Sequence, residues 1–373
     1  MKSPKRLLML NWRDPGHPKA GGAELVTLRI LENLAASGRW DISWFSGAYP
    51  SGAAEERING IHFIRAGSAL SVRWEALRRY GGNNNFDIVV DQTNTLPFFT
   101  PLYSKVPVIL FMHQVAKEVW WYEAPPVLGL IGYLAEPVML AAYRNLPFIT
   151  VSKSSALSMR NIGLRGPAFI IPEAVDEVAD DDILETKSDS DILVMGRVSP
   201  SKRIEESIRA IALLKELNWN GLLFIAGAGE RSYLQKLKRL ADSLGVTDRI
   251  IFCGRIDTIT RRNLMQRARV LWMTSVREGW GLVVSEAARH FVPAVVYDVP
   301  GLRDSVIDGS TGFVVECKPL ALAHATAKLF ENRDGWRKLA ISAHEFSCRL
   351  SWAATADAFE RALLTTIAAC QRS

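Results

Sequence analysis

Cysteine is scarce in this chain: four among 373 residues, Cys253, Cys317, Cys348 and Cys370. No two stand at C-x-x-C spacing, so neither a zinc ribbon nor a dithiol redox motif is expected, and disulfide stapling is not anticipated. Long hydrophobic runs are missing too. No stretch reaches the ~20 uninterrupted apolar residues of a spanning helix. The most apolar one, 127–142, is broken by Glu136 and Pro137. The short run Leu7–Leu10 passes at once into Asn11-Trp12-Arg13-Asp14 and reads as a first strand rather than the core of a signal peptide. Internal repeats and low-complexity tracts are absent.

What is present suits a folded chain with a full core. Apolar residues make up 48% and charged residues 23%, and the length points to two domains. The net charge of +6 is uneven: +5 over 1–175, −7 over 176–191 and +8 over 192–373. Two basic lobes flank an acidic segment that lacks an apolar period and reads as a solvated linker. Basic lobes suit phosphate-bearing ligands or an anionic membrane surface, or an ordinary solvated exterior.

Short apolar runs alternate with helical patterns throughout, the signature of parallel sheets flanked by helices. In the first half, strands are expected at 6–11, 41–46, 62–66, 87–92, 107–112, 148–151 and 169–171, with a helix over 22–37. The alternation restarts after the linker, with strands at 192–195, 222–226, 250–253, 270–274, 294–297 and 312–315. Helices are expected over 203–217 and 232–244, from near Arg261, Ser285 and Arg303, and over 352–369. The domains are therefore placed at 1–175, with the helix from 352 packing back on it, a linker at 176–191, and a second domain at 192–351.

In open parallel sheets ligands gather beyond the carboxyl ends of the strands, and the distinctive loops fall there. Gly21 and Gly22 open the first helix, where bare backbone and a helix N-terminus suit an anion, or simply make a tight turn. Arg197 and Lys202 follow the strand 192–195. Together they could hold a pyrophosphate, although an Arg–Lys loop is more often plain surface. Glu278, Gly279 and Gly281 make a turn after the strand 270–274. Glu286 then falls in an expected first helical turn, where an acid also has a structural reason to be. His113 ends the strand 107–112. Trp120, Trp121 and Tyr122 follow it, to line an acceptor pocket or to pack the lobe. The mixed segment Arg73–Tyr80 reads as a membrane-surface helix or an ordinary one.

These loops, in this order and spacing, resemble glycosyltransferase family 4, of the α/β GT-B architecture in which two Rossmann-like parallel-sheet domains face a cleft. The likeness is densest over 192–315. Its most specific piece is Glu278-x7-Glu286 enclosing Gly-Trp-Gly-Leu; next is Gly301-Leu-Arg-Asp-Ser-Val-Ile-Asp-Gly-Ser-Thr-Gly-Phe313. The resemblance implies a retaining, metal-independent hexosyltransferase. It would use a nucleotide-sugar donor and a glycan or lipid-linked acceptor, in cell-surface polysaccharide or glycoconjugate synthesis. It implies no cofactor and no nucleic-acid partner, and a cytoplasmic location with peripheral contact at an anionic membrane left open.

Carried across by position, His113, Glu278, Arg197 and Lys202 would be the catalytic groups. Gly21, Gly22, Arg197, Lys202, Arg255, Ile256, Glu278, Gly281, Leu282, Val283 and Glu286 would bind the donor. Trp120, Trp121 and Tyr122 would lie on the acceptor side. No metal site is expected, since Asp180-Asp181-Asp182 falls in the linker. A non-catalytic nucleotide-sugar-binding protein and a nucleotide-sugar epimerase of the same architecture remain as alternatives. One departure is visible: where the family often has Asn-Gly-Val-Asp, this chain has Pro172-Glu173-Ala174-Val175-Asp176.

Overall fold

The computed structural model describes residues 3–176, 184 and 187–372. Asp180-Asp181-Asp182 and most of the expected linker lie outside the described residues. The chain divides into two compact units. The first comprises 1–117, 131–174 and 351–373, and the second 118–130 and 175–350.

Among the described residues the first unit holds one eight-stranded sheet. Its strands are β1 (Lys5–Leu10), β2 (Trp40–Ser46), β3 (Glu55–Ile58), β4 (Ile61–Arg65), β5 (Ile88–Gln92), β6 (Val108–Phe111), β7 (Phe148–Thr150) and β8 (Ala168–Ile170), in the order β3-β4-β2-β1-β5-β6-β7-β8. Central strand β1 has Leu7, Leu8, Met9 and Leu10 fully buried, as a strand covered on both faces must. Only the β3–β4 pair is antiparallel. Strand β3 was not among the expected strands, because its Glu-Glu-Arg-Ile is exposed and shows no apolar alternation. The signal was the turn: Asn59 and Gly60 both have positive φ (50° and 81°), the geometry of a two-residue hairpin.

The first five helices in chain order are α1 (Gly22–Ala36), α2 (Val72–Tyr80), α3 (Trp120–Glu123), α4 (Pro126–Met139) and α5 (Lys153–Asn161). The C-terminal helix Trp352–Cys370 packs against α1. Trp40 Nε1 donates to its Glu360 at 2.7 Å, and its Thr355 hydroxyl donates to the Pro172 carbonyl at 3.1 Å. One helical stretch among the described residues, Pro126–Tyr143, is long and apolar enough to cross a membrane by length and composition alone. Its Glu136 is buried and accepts the amides of Ala116 (2.6 Å) and Lys117 (2.8 Å), so this part of the stretch is tied to the protein.

The second unit holds a parallel six-stranded sheet. Its strands are β9 (Ile192–Met195), β10 (Leu223–Ala226), β11 (Ile250–Gly254), β12 (Val270–Met273), β13 (Ala294–Tyr297) and β14 (Gly312–Val315), in the order β11-β10-β9-β12-β13-β14. Helices α6 (Ile204–Glu216), α7 (Arg231–Ser243), α8 (Thr258–Arg267), α9 (Leu282–Arg289), α10 (Leu302–Ser305), α11 (Pro319–Glu331) and α12 (Arg333–Cys348) join or flank the strands. The end of the acidic segment is not a solvated linker: Asp191 is buried, pairs with Arg267 at 2.6 Å and accepts the Leu222 amide at 3.0 Å.

The strand order doubles back between β9 and β12. That is the switch point where loops leave neighbouring strands in opposite directions and open a crevice.

Candidate functional site

Loops 196–203 and 274–281 leave β9 and β12 on either side of this switch point. Backbone bonds lace them together. The Val276 amide donates to the Ser201 carbonyl at 2.9 Å, and the Glu278 amide ties the second loop to the Pro300 carbonyl, in the loop after β13, at 3.0 Å. The Thr274 hydroxyl lies 2.9 Å from the Lys202 carbonyl and 3.1 Å from that of Arg203. Loop 227–229 packs from the other side. Gly196 donates to Ala226 and Val198 to Ala228 (2.9 and 2.8 Å), and Gly227, at φ +154°, leaves no room for a Cβ against the Gly196 carbonyl. A small pocket at this edge is lined by Gly196, Arg197, Lys202, Ala226, Thr274 and Ser275.

The charged side chains meet here. Lys202 Nζ pairs with Glu278, and the Ser275 hydroxyl donates to the same Glu278 oxygen at 2.6 Å. Arg197 remains two-thirds exposed and pairs with Glu123 at 3.4 Å. Glu123, on α3, also accepts the Ser201 hydroxyl and amide. Burial pushes its carboxyl up, but the bonds from Ser201 and Ser199 and the Arg197 charge outweigh that and leave it below the usual value. Glu118 pairs with Arg277 at 2.9 Å.

Trp120, Trp121 and Tyr122, expected with the first domain, therefore group with the second unit, because the acids on either side of them are bound there. Trp121 and Tyr122 are exposed rather than packed. The anchoring acids Glu118 and Glu123 had no signal in the sequence.

Gly281, at φ +94°, begins α9, so Leu282 and Val283 supply its first amides. The helix starts three residues before the expected Ser285. Glu286 is consequently its fifth residue, outside the first turn, and the helix-dipole explanation for it falls. Glu286 is paired instead with Arg261 of α8, a partner sequence reasoning missed. Burial raises its carboxyl, with the Arg261 charge opposing. Arg255 is exposed and Ile256 partly buried just beyond β11, after Gly254 at φ +65°.

In the first unit, His113 lies on a buried polar chain at the carboxyl edge of the sheet, and the exposed Gly21 donates to a carboxylate at its end. The Gly21 amide donates to Glu24 Oε2 at 2.8 Å, so the first turn of α1 already holds a carboxylate. Glu24 Oε1 also takes Arg13 at 3.0 Å and Asn94 at 2.8 Å. Asn11 Nδ2 donates to Gln92 Oε1 at 3.0 Å. Gln92 Nε2 lies 2.8 Å from Thr27 Oγ1 and 3.2 Å from His113 Nε2. His113 Nδ1 lies 2.7 Å from Glu173 Oε1. Both ring nitrogens of His113 thus face protein partners, and Gly22 is exposed beside this chain.

Residues 176–346, nearly the whole second unit, match the family described as Glycosyl transferases group 1. The second unit is a group 1 glycosyltransferase domain. D-inositol 3-phosphate glycosyltransferase of Nocardia farcinica is 31% identical over 172 residues, 44% of this chain and 38% of that protein. The chain thus spans well under half of such a relative's length. Sucrose-phosphate synthase from Thermosynechococcus elongatus superposes at a TM-score of 0.81 with 20% identity, covering 98% of this chain and all of that one. Anabaena HepE, solved with UDP and glucose, superposes at 0.73 with 17% identity, covering 97% and 100%. At these identities the solved structures establish the fold, which is GT-B.

Proposed function

We propose that this group 1 glycosyltransferase chain moves a hexose-type sugar from a nucleoside-diphosphate sugar to an acceptor hydroxyl, with retention and without a metal. The observation that carries the reading is the meeting of Arg197, Lys202 and Glu278 at the switch point of the second unit, beside the first amides of α9. A diphosphate leaving group gathers negative charge on its β-phosphate as the glycosidic bond breaks. Arg197, Lys202 and the amides of Leu282 and Val283 are assigned to that charge. Glu278 is assigned to sugar hydroxyls, Glu286 to the ribose, and the backbone at Arg255 and Ile256 to the base. Retention follows if the acceptor attacks from the face the phosphate leaves, with the departing phosphate taking the acceptor proton.

The acceptor is proposed to be a glycan or a lipid-linked molecule. The outward apolar row of Ile131, Leu134 and Val138 on α4 favours the lipid-linked one, reached at a membrane surface. Co-sedimentation with anionic vesicles, lost on Leu134→Glu and Val138→Glu, checks that part.

The main test is turnover of a panel of UDP- and GDP-sugars, with the product anomer read by NMR. A double Arg197→Ala, Lys202→Ala variant is expected to lose at least two decades of rate, about 3 kcal/mol. Full turnover by that variant, or an inverted anomer, would overturn the assignment or the retention respectively.

A further inference from the structure

The buried chain of the first unit fixes the proton positions on His113. The Thr27 hydroxyl donates to the Ala23 carbonyl at 2.9 Å, so its oxygen is left to accept from Gln92. Gln92 Oε1 in turn accepts from Asn11 Nδ2. Both bonds identify the same end of the Gln92 amide as nitrogen. That nitrogen has only protons to offer. His113 Nε2, 3.2 Å away, must therefore be an acceptor without a proton, which puts the ring proton on Nδ1, facing Glu173. Asn11, Thr27 and Gln92 are essentially fully buried, Glu173 is 4% exposed and His113 9%, so water does not compete for these bonds.

We propose that Glu173 is a positioning residue that holds His113 as the Nδ1–H tautomer, leaving the Nε2 lone pair as an acceptor at the carboxyl edge of the sheet. A ring nitrogen's state is set by the bond its partner nitrogen makes, and Glu173 makes that bond. The Gln92 N–H fills the Nε2 lone pair in this structure. A sugar hydroxyl is the class of group that can replace it there, a step that rests on the transferase reading. The departure Pro172-Glu173-Ala174-Val175-Asp176 thereby acquires a chemical purpose: it supplies the carboxylate.

The test uses the full chain labelled with 15N-histidine and long-range 1H–15N spectra, with His113 assigned by its loss in His113→Gln. The wild type is expected to show a protonated Nδ1 and an unprotonated Nε2. Glu173→Gln keeps an acceptor oxygen and retains both the tautomer and turnover. Glu173→Leu, made together with Gln92→Met so that no Gln92 N–H holds Nε2, loses the fixed tautomer and at least about tenfold in kcat relative to Gln92→Met alone, with the donor KM unchanged within about twofold. A wild-type Nε2–H tautomer, or a double variant with unaltered tautomer and kcat, would overturn the proposal. Should the double variant fail to fold, Gln92→Met alone asks the same question: the Nδ1–H form must persist with Glu173 alone, and its loss is contrary. The spectra need no substrate. A wild type without turnover would sink the transferase reading and leave this test standing.

Discussion

Arg197 and Lys202 are held in different ways, and the difference bears on what each can give a ligand. Arg197 is two-thirds exposed and shares one loose contact with Glu123; pairs of that kind contribute about 0–1 kcal/mol. It can turn to a phosphate with little loss. Lys202 is less exposed and tied to Glu278, so a phosphate must compete with a carboxylate already in place. Lys202→Met is expected to lower the melting temperature measurably, because it strands the half-buried Glu278 at a cost of about 1–3 kcal/mol. Arg197→Met should leave melting nearly unchanged. Equal shifts in thermal melts of the two variants would contradict this ordering.

The basic residues themselves were legible in the sequence, since they stand in loops after recognisable strands. The acids that complete their surroundings were not. Glu123 meets Ser201 across 78 positions, and Glu173 meets His113 across 60. No local pattern marks residues that are joined only by the tertiary fold.

At the scale of elements, the glycine turns decide where the site loops sit. Gly301 has φ +87°, and a Cβ there would overlap the Glu278 carbonyl oxygen. Gly301→Ala is therefore expected to destabilise by about 1–3 kcal/mol and to displace the 278–281 turn, read as a fall in both melting temperature and donor affinity. Apart from β3, the strands of both sheets were readable because their apolar runs are short and continuous. The start of α9 was placed late because Leu282, Val283 and Val284 look like the end of a strand until Gly281 supplies the left-handed cap.

The other end of α9 carries a pH dependence. Burial, reinforced by the charges of Lys187 and Arg262, pushes His290 down to about 4 from an ordinary 6.5, and its Nδ1 is buried without a partner. A base whose folded pKa is depressed leaves the unfolded chain binding more protons between those two values. Stability should therefore fall as pH drops from about 6.5 to about 4, and level off below, by about 3 kcal/mol from this group. His290→Gln should flatten that part of the denaturation profile. A variant whose profile keeps the wild-type slope would contradict it.

At the scale of the whole molecule, the chain's ends and its units do not coincide. The C-terminal helix belongs to the first unit, where it buries Phe359, Leu363 and Ile367. Three such side chains contribute about 5–9 kcal/mol of burial, comparable to the net stability of a domain. A chain ending at Leu350 is expected to lose amide protection in β1 and β2 while β9 and β12 keep theirs. Loss in both sheets together, or in neither, would be contrary. The twofold α/β plan was legible from the restart of alternation at Ile192, because it rests on patterns within each half. The assignment of 118–130 to the second unit was not, because it depends on Glu118 and Glu123 finding Arg277, Arg197 and Ser201.

The most direct measurement is a calorimetric titration of UDP and GDP into the wild-type chain and into the Arg197→Ala, Lys202→Ala variant. The converging cations of the switch-point loops require that at least one nucleotide binds the wild type, and that the double variant loses about two decades of affinity, near 2.7 kcal/mol. Undiminished binding by the variant, or no binding of either nucleotide to the wild type, would contradict a diphosphate cradle at this place.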